Sequence, residues 1–120
     1  MCIRDRCLIG QINNDWEFYS GSGNWEFGFS NAAPILDEVA NAYSVFQCGE
    51  KYFLLTQQRS YLGCEEGREI YLYEADNPEG PFGNQTLVHT IEFDGDTLQT
   101  FNATAHPQFI ENDELSLIHI

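Results

Sequence analysis

The sequence predicts an all-β domain built as an antiparallel meander. Three observations predict it. Four segments in succession, YSVFQC, YFLLTQQ, EIYLYEA and LVHTIEF, have strand length and are either apolar or alternate with period two. Residues that turn a chain separate them: Gly49 and Glu50, then Gly63 and Gly67, then the two prolines and two glycines of DNPEGPFGN. No segment carries the apolar spacing of a helix of conventional length.

Each element follows in order. DWEFYSGSGNWEF repeats Trp-Glu-Phe at Trp16 and Trp25 across Ser-Gly-Ser-Gly, which predicts a hairpin. NAAPILDEVANA has Pro34 near its start and reads as a loop with one helical turn at most. YSVFQC, the tight turn at Gly49 and YFLLTQQ form a second hairpin. In EIYLYEA, Ile70, Leu72 and Glu74 alternate against Tyr71 and Tyr73, a third strand of the meander. LVHTIEF is the fourth, with Asp94-Gly95-Asp96 turning after it. TLQTFNATAHPQFI leads into a further strand, and Glu111 to Glu114 is turn-like.

The two ends stand apart. MCIRDR can be written ATG TGT ATA AGA GAC AGR, and the reverse complement of its opening bases, CTGTCTCTTATACACAT, translates as Leu-Ser-Leu-Ile-His. LSLIHI is the other end of the chain. One DNA element in opposite orientations therefore encodes both termini, and it resembles the transposon end used to fragment DNA for sequencing. Residues 1–6 and 115–120 are expected to be foreign, with residues 7–114 a piece of a longer protein. A real short strand at each end is the alternative that the apolar letters allow.

Charge narrows the partners. The chain has 5 basic and 19 acidic residues, a formal net charge of −14. Outside the ends, Lys51, Arg59 and Arg68 are the only cations. Such a surface repels phosphate backbones and anionic membranes, so neither nucleic acid nor a membrane is expected as partner. Aromatic residues make up 14%, too apolar for a disordered chain. No apolar run approaches the ~20 residues of a membrane-spanning helix.

Of the cysteines, Cys7, Cys48 and Cys64 lie outside the ends, and no Cys-x-x-Cys spacing points to zinc. Cys48 and Cys64 read as a disulfide or as separate buried thiols. No cofactor is expected. Asp94-Gly95-Asp96 has letters suited to a structural calcium ion, but without the rest of a binding loop it reads as a hairpin turn. Asn84-Gln85-Thr86 and Asn102-Ala103-Thr104 match the glycosylation sequon.

A weak internal echo sets YSVFQCGEK against HPQFIENDE, with Phe46 on Phe109. A period of roughly 60 residues holding four strands suggests a propeller blade. EIYLYEADNPEGPF adds a resemblance. Its Ala75, Pro78, Gly80, Pro81 and Phe82 match the turn after an outer strand in five-bladed β-propellers of the glycosidase type, including glycoside hydrolase family 43 and related bacterial domains of unknown function. YSVFQCGEKYFLLT resembles the first two strands of such a blade, and FNATAHPQFIENDE the opening of the next. The resemblance covers about Pro34 to Glu114. It implies one to two blades of a partial propeller from a secreted or periplasmic bacterial protein that cleaves or binds carbohydrate; a small structural β-domain without a pocket is the alternative.

In that family the innermost strand of each blade starts at the central pocket. By position, this implies that Tyr43 and Ser44, and then Asn102 and His106, lie near the axis. The family's enzymes use three carboxylates from different blades, which suits glycoside cleavage because one protonates the leaving oxygen while another handles the nucleophile. This chain has Tyr43 and His106 at the matching places, so the catalytic carboxylates are expected outside it or absent altogether.

The candidate residues each have a plainer reading. His106 either contacts a sugar or is a structural histidine before Pro107. Asn102 either bonds a sugar or caps a loop. Arg59 either clamps the carboxylate of an acidic sugar or pairs with a local glutamate. Glu65 and Glu66 read as solvated loop charges. Trp16 and Trp25 read as sugar platforms or as packed aromatics. His89 reads as a strand residue.

Overall fold

A computed structural model describes residues 4–37, 39–58, 67–92, 102–111 and 114–118. The described residues are all-β, and every strand pairing is antiparallel. The chain divides into two compact units, residues 1–37 and 38–120.

The first unit is a three-stranded sheet of β1 (Asp5–Arg6), β2 (Glu17–Gly21) and β3 (Asn24–Phe27), followed by a single 3-10 turn at Phe29–Asn31. The predicted hairpin is β2–β3. Its turn has Ser22 at φ 52° and Gly23 at φ 80°. Two successive positive φ values match the right-handed twist of the flanking strands, and glycine supplies one of them without steric cost. Aromatic edges hold the unit together: Phe18 meets Phe29 at 5.7 Å, and Tyr19 meets Trp25 at 5.6 Å.

The second unit is built on the predicted meander. β4 (Val39–Cys48), β5 (Lys51–Gln58), β6 (Glu69–Ala75) and β7 (Gly83–Thr90) lie side by side in chain order. Cys48 pairs with Lys51 across a two-residue turn, and Gly49 at φ 61° takes the position that needs left-handed backbone.

Facing pairs in an antiparallel ladder share a face. The registers Ser44↔Leu55, Phe46↔Phe53, Leu55↔Leu72 and Gln57↔Ile70 therefore define one face. Tyr43↔Thr56, Val45↔Leu54, Leu54↔Tyr73 and Tyr52↔Ala75 define the other. β5 has no charge after Lys51, as a strand covered on both sides requires, and Leu54 and Leu55 are both fully buried. Thr56 and Gln57 are buried polar residues held by hydrogen bonds. Ala40 N donates to Thr56 Oγ1 at 3.1 Å, and Gln57 Nε2 donates to Gly67 O at 2.8 Å.

β8 (Thr104–Glu111) and β9 (Glu114–Ile118) form a separate two-stranded sheet. Its opening docks on the first face of the meander. Ala103 and Ala105 are buried in one cluster with Phe46, Leu55, Ile70 and Ile91. The small alanine side chains let β8 approach closely, and Ala105 N donates to Ser44 Oγ at 2.9 Å.

Three expectations change. The segment from Val39 to Ala42, read as loop, is the start of β4. Its register shifts between Val39 and Tyr43, and this bulge is what hides the strand period. The fourth strand starts at Gly83 rather than Leu87, because β7 is exposed along all eight residues and needs no apolar alternation. Ile91, placed in that strand, instead lies after it, buried with its N–H donating to Arg68 O at 2.8 Å. The echo between Phe46 and Phe109 joins unlike sites, since Phe46 is 8% exposed and Phe109 is 63% exposed. The Gly80–Pro81 bond in the long turn is cis.

Candidate functional site

The antiparallel order gathers four strand ends at one end of the meander: the start of β4, the end of β5, the start of β6 and the end of β7. Arg59, Glu65 and Glu66 belong in sequence to the β5–β6 connection and lie outside the described residues. Asp94 and Asp96 lie outside them as well.

Tyr43 is half-buried on the face that carries Leu54 and Thr56. Its neighbour Ser44 points to the opposite face and receives the Ala105 N–H. Asn102 is exposed with φ 55°, and its carbonyl accepts from Thr104 Oγ1 at 3.0 Å. Asparagine tolerates this left-handed backbone better than most residues. His106 is half-buried, and its ring lies 6.2 Å from that of Phe109. Gln108 Nε2 sits 3.1 Å from His106 Nδ1. The structure thus joins β4 to β8 through Ser44 and Ala105, the residues adjacent to Tyr43 and His106.

The early start of β4 brings in an acid that the sequence reading passed over. Asp37 is exposed and lies two residues before Val39. Reading the strand from Tyr43 left no carboxylate at its start. The bulge conceals the first four residues of β4, so strand periodicity gave no signal for Asp37. At the same end, Tyr71 OH donates to Glu69 Oε2 at 2.5 Å. That hydrogen bond, with some burial and the negative charge of Glu69, raises the Tyr71 pKa above the ordinary tyrosine value of 10.0.

The far end of the sheet carries different chemistry. Lys51 Nζ meets Asp76 Oδ1 at 2.5 Å, and this bond raises the lysine pKa above 10.5. Asn84 Nδ2 donates to Glu74 Oε1 at 2.6 Å. These groups line an open hollow of about 270 Å³. Both its lysine and its glutamate are already satisfied.

In the first unit, an open groove of about 640 Å³ is lined by Arg6, Cys7, Asp15, Glu17 and Phe27 among others. Arg6 is bonded to Glu17 at 2.8 Å and lies 4.2 Å over the Trp25 ring. Trp25 therefore has one face occupied, and Trp16 Nε1 donates to Ile12 O at 3.0 Å. Both are half-buried packing aromatics.

Cys7 and Cys48 are free thiols. Cys48 sits at the end of β4 beside the β4–β5 turn, and Cys64 lies outside the described residues. Among the described residues, no three His, Cys, Asp or Glu side chains gather as a metal site. Among them, too, no helix is long and apolar enough to cross a membrane.

The family described as "Domain of unknown function (DUF5005)" matches residues 5–119. No curated protein and no solved structure matches the chain.

Proposed function

The chain belongs to the DUF5005 family, and from that premise we propose that residues 7–114 are one to two blades of a glycosidase-type β-propeller that binds or cleaves carbohydrate outside the cytoplasm. The observation that carries the reading is the contact between the meander and β8. A four-stranded antiparallel sheet lays one face against the first strand of a further sheet, with Ala103 and Ala105 in the seam and the Ser44–Ala105 hydrogen bond across it. Radial repetition of such sheets is how a propeller buries the faces of its blades.

In this reading, Asn102 and His106 contact sugar; Tyr43, on the face of the meander turned away from β8, and Arg59, which lies outside the described residues, stand as the other candidates. The catalytic carboxylates come mainly from other blades. Asp37 and Glu38 are the acids of this chain that stand next before the innermost strand in sequence.

A non-catalytic carbohydrate-recognition propeller is the second reading. It is favoured by the neutral side chains at Tyr43, Ser44, Asn102 and His106, where an enzyme would place acids.

The test starts with the uninterrupted gene, amplified outward from the coding region of Cys7 to Glu114. Native codons continuing into further blades of roughly 60 residues support the propeller. The complete domain is then screened for glycan binding and hydrolysis, with Asp37→Asn beside it. Hydrolysis lost in Asp37→Asn with binding kept supports the enzyme. Binding without hydrolysis supports the recognition module. A stop codon soon after LSLIHI in the genome overturns the propeller reading.

A further inference from the structure

The opening of β8 carries a row of side chains that the buried seam does not use. Ala103 and Ala105 face the meander and are 0% and 6% exposed. Alternation along β8 therefore sends Thr104 and His106 the other way, Thr104 exposed and His106 half-buried, and Asn102, exposed at φ 55°, stands just before them. Gln108 follows on the same side, with its amide nitrogen 3.1 Å from His106 Nδ1.

The backbone under this row is fixed at two points. Thr104 Oγ1 closes on the Asn102 carbonyl at 3.0 Å, and Ser44 Oγ holds the Ala105 N–H at 2.9 Å. The row contains an amide, a hydroxyl, an imidazole and a second amide, with no charge, and the exposed Phe109 ring lies 6.2 Å from the ring of His106. The meander's packed face, by contrast, offers Phe46, Phe53, Leu55, Ile70 and Leu72.

Gln108 also bears on the histidine. An amide N–H directed at Nδ1 makes Nδ1 an acceptor, which places the proton of a neutral imidazole on Nε2. Nε2 then presents a donor on the open side. We infer that Asn102, Thr104 and His106 form a neutral hydrogen-bonding row for the hydroxyls of an uncharged glycan, and that Gln108 is a positioning residue that sets the His106 tautomer. The inference rests on the glycan reading above and narrows it to a ligand class. A row without cations, in a chain of net charge −14, has nothing to offer a uronate carboxylate.

Two measurements on the full chain test it. The first is the long-range proton–nitrogen spectrum of the histidine rings at about pH 8, where an ordinary imidazole is neutral, with His106→Asn used for assignment. The wild type is expected to carry its proton on Nε2. Gln108→Glu puts an acceptor beside Nδ1 and is expected to move the proton there while the amide spectrum stays folded. A wild-type proton on Nδ1, or no movement in Gln108→Glu, overturns the positioning role.

The second measurement is calorimetric titration with a panel of neutral gluco-, manno-, xylo-, arabino- and galacto-oligosaccharides, and with an oligogalacturonate of matched length. A neutral ligand is expected to bind, and Asn102→Ala and Thr104→Ala are each expected to weaken it roughly threefold to tenfold. Oligogalacturonate binding as tightly leaves the glycan reading standing and overturns the neutral row. Binding of no oligosaccharide overturns the glycan reading and the row with it, whatever the tautomer.

Discussion

Leu55→Ala tests the seam on which the domain reading depends. Leu55 is fully buried at the centre of the cluster that joins Phe46 and Ile70 to Ala103 and Ala105. The substitution removes three carbons, worth about 2.4 kcal/mol of transfer free energy at ~0.8 kcal/mol per methylene. A strand with neighbours on both sides cannot collapse into the gap, so a cavity penalty adds to this, and the loss falls within about 2–5 kcal/mol. Against a total stability of about 5–15 kcal/mol, that is a large fraction.

Trp16 and Trp25 both lie in the first unit, so tryptophan fluorescence reports the wrong half of the chain. The assay is urea-dependent amide exchange read at β5. At a urea slope of about 1–3 kcal/mol per molar, a loss of about 2–5 kcal/mol should lower the unfolding midpoint by about 0.7–5 M. A double-mutant cycle then locates the seam. Leu55→Ala with Ala103→Gly should show a coupling of about 0.5–3 kcal/mol, because both residues belong to one cluster. Leu54 is equally buried on the opposite face, and Leu54→Ala with Ala103→Gly should add to within about 0.5 kcal/mol. Additivity at Leu55, or coupling at Leu54, refutes the docking of β8 on this face.

Three further outcomes follow from the geometry. Gly67→Ala places a Cβ 2.3 Å from Gln58 Cβ and 2.6 Å from the Gln58 carbonyl oxygen. The backbone must move, so the variant should lose the protection of β5 and β6 amides in hydrogen exchange; unchanged protection would contradict the close approach. Gly49→Val puts a β-branched side chain at φ 61° in the β4–β5 turn, and the unfolding midpoint should fall by an amount equal to roughly 1–2 kcal/mol. Tyr71 should titrate above the ordinary tyrosine value when tyrosinate absorbance is followed, because its proton is held by Glu69. A raised folded pKa means that the stabilising contribution is present below about pH 10 and is lost as pH rises through the folded value. Tyr71→Phe should therefore flatten the alkaline fall in stability, and an unaltered fall would place its cause elsewhere.

The strands were legible where side chains had to alternate or be covered. β5 and β6 carry their burial in their letters, and Gly49 marks the turn between β4 and β5. β4 was legible only from Tyr43 onward, because the bulge after Val39 breaks the period that a reader follows. With those residues went Asp37, which is unremarkable as a loop acid and becomes a candidate only once the strand starts beside it. β7 failed for the opposite reason. Gly83 and Asn84 read as turn, and Gln85 and Thr86 as no part of the strand, because an edge strand exposed on both faces has no apolar signature. The candidate site was legible as residue types, Asn102 and His106, and not as a geometry. The partner that orders His106 is Gln108, an exposed residue of a common type that no spacing rule singles out.

The docking of β8 beside β4 also shows why a sequence echo can be topologically apt and still join the wrong residues. In a strand, a shift of one residue exchanges the two faces. Setting Tyr43 on His106 aligns Phe46, which lies in the core, with Phe109, which does not. The hydrogen bond observed is from Ala105 to Ser44, with the alanines turned inward. Small residues are required where the backbone of β8 comes close, and two alanines give no hydrophobic peak for an alignment to find. The same alternation that buries Ala105 turns Thr104 and His106 outward, with Asn102 exposed just before them. The seam and the polar row are therefore one structural fact, and Ala105→Asp should disturb both. A carboxylate in the seam would lift β8 from the meander, so β8 amides should lose exchange protection and the His106 tautomer signal should average. Retention of both in Ala105→Asp would mean that the row is ordered by something other than the docking of β8.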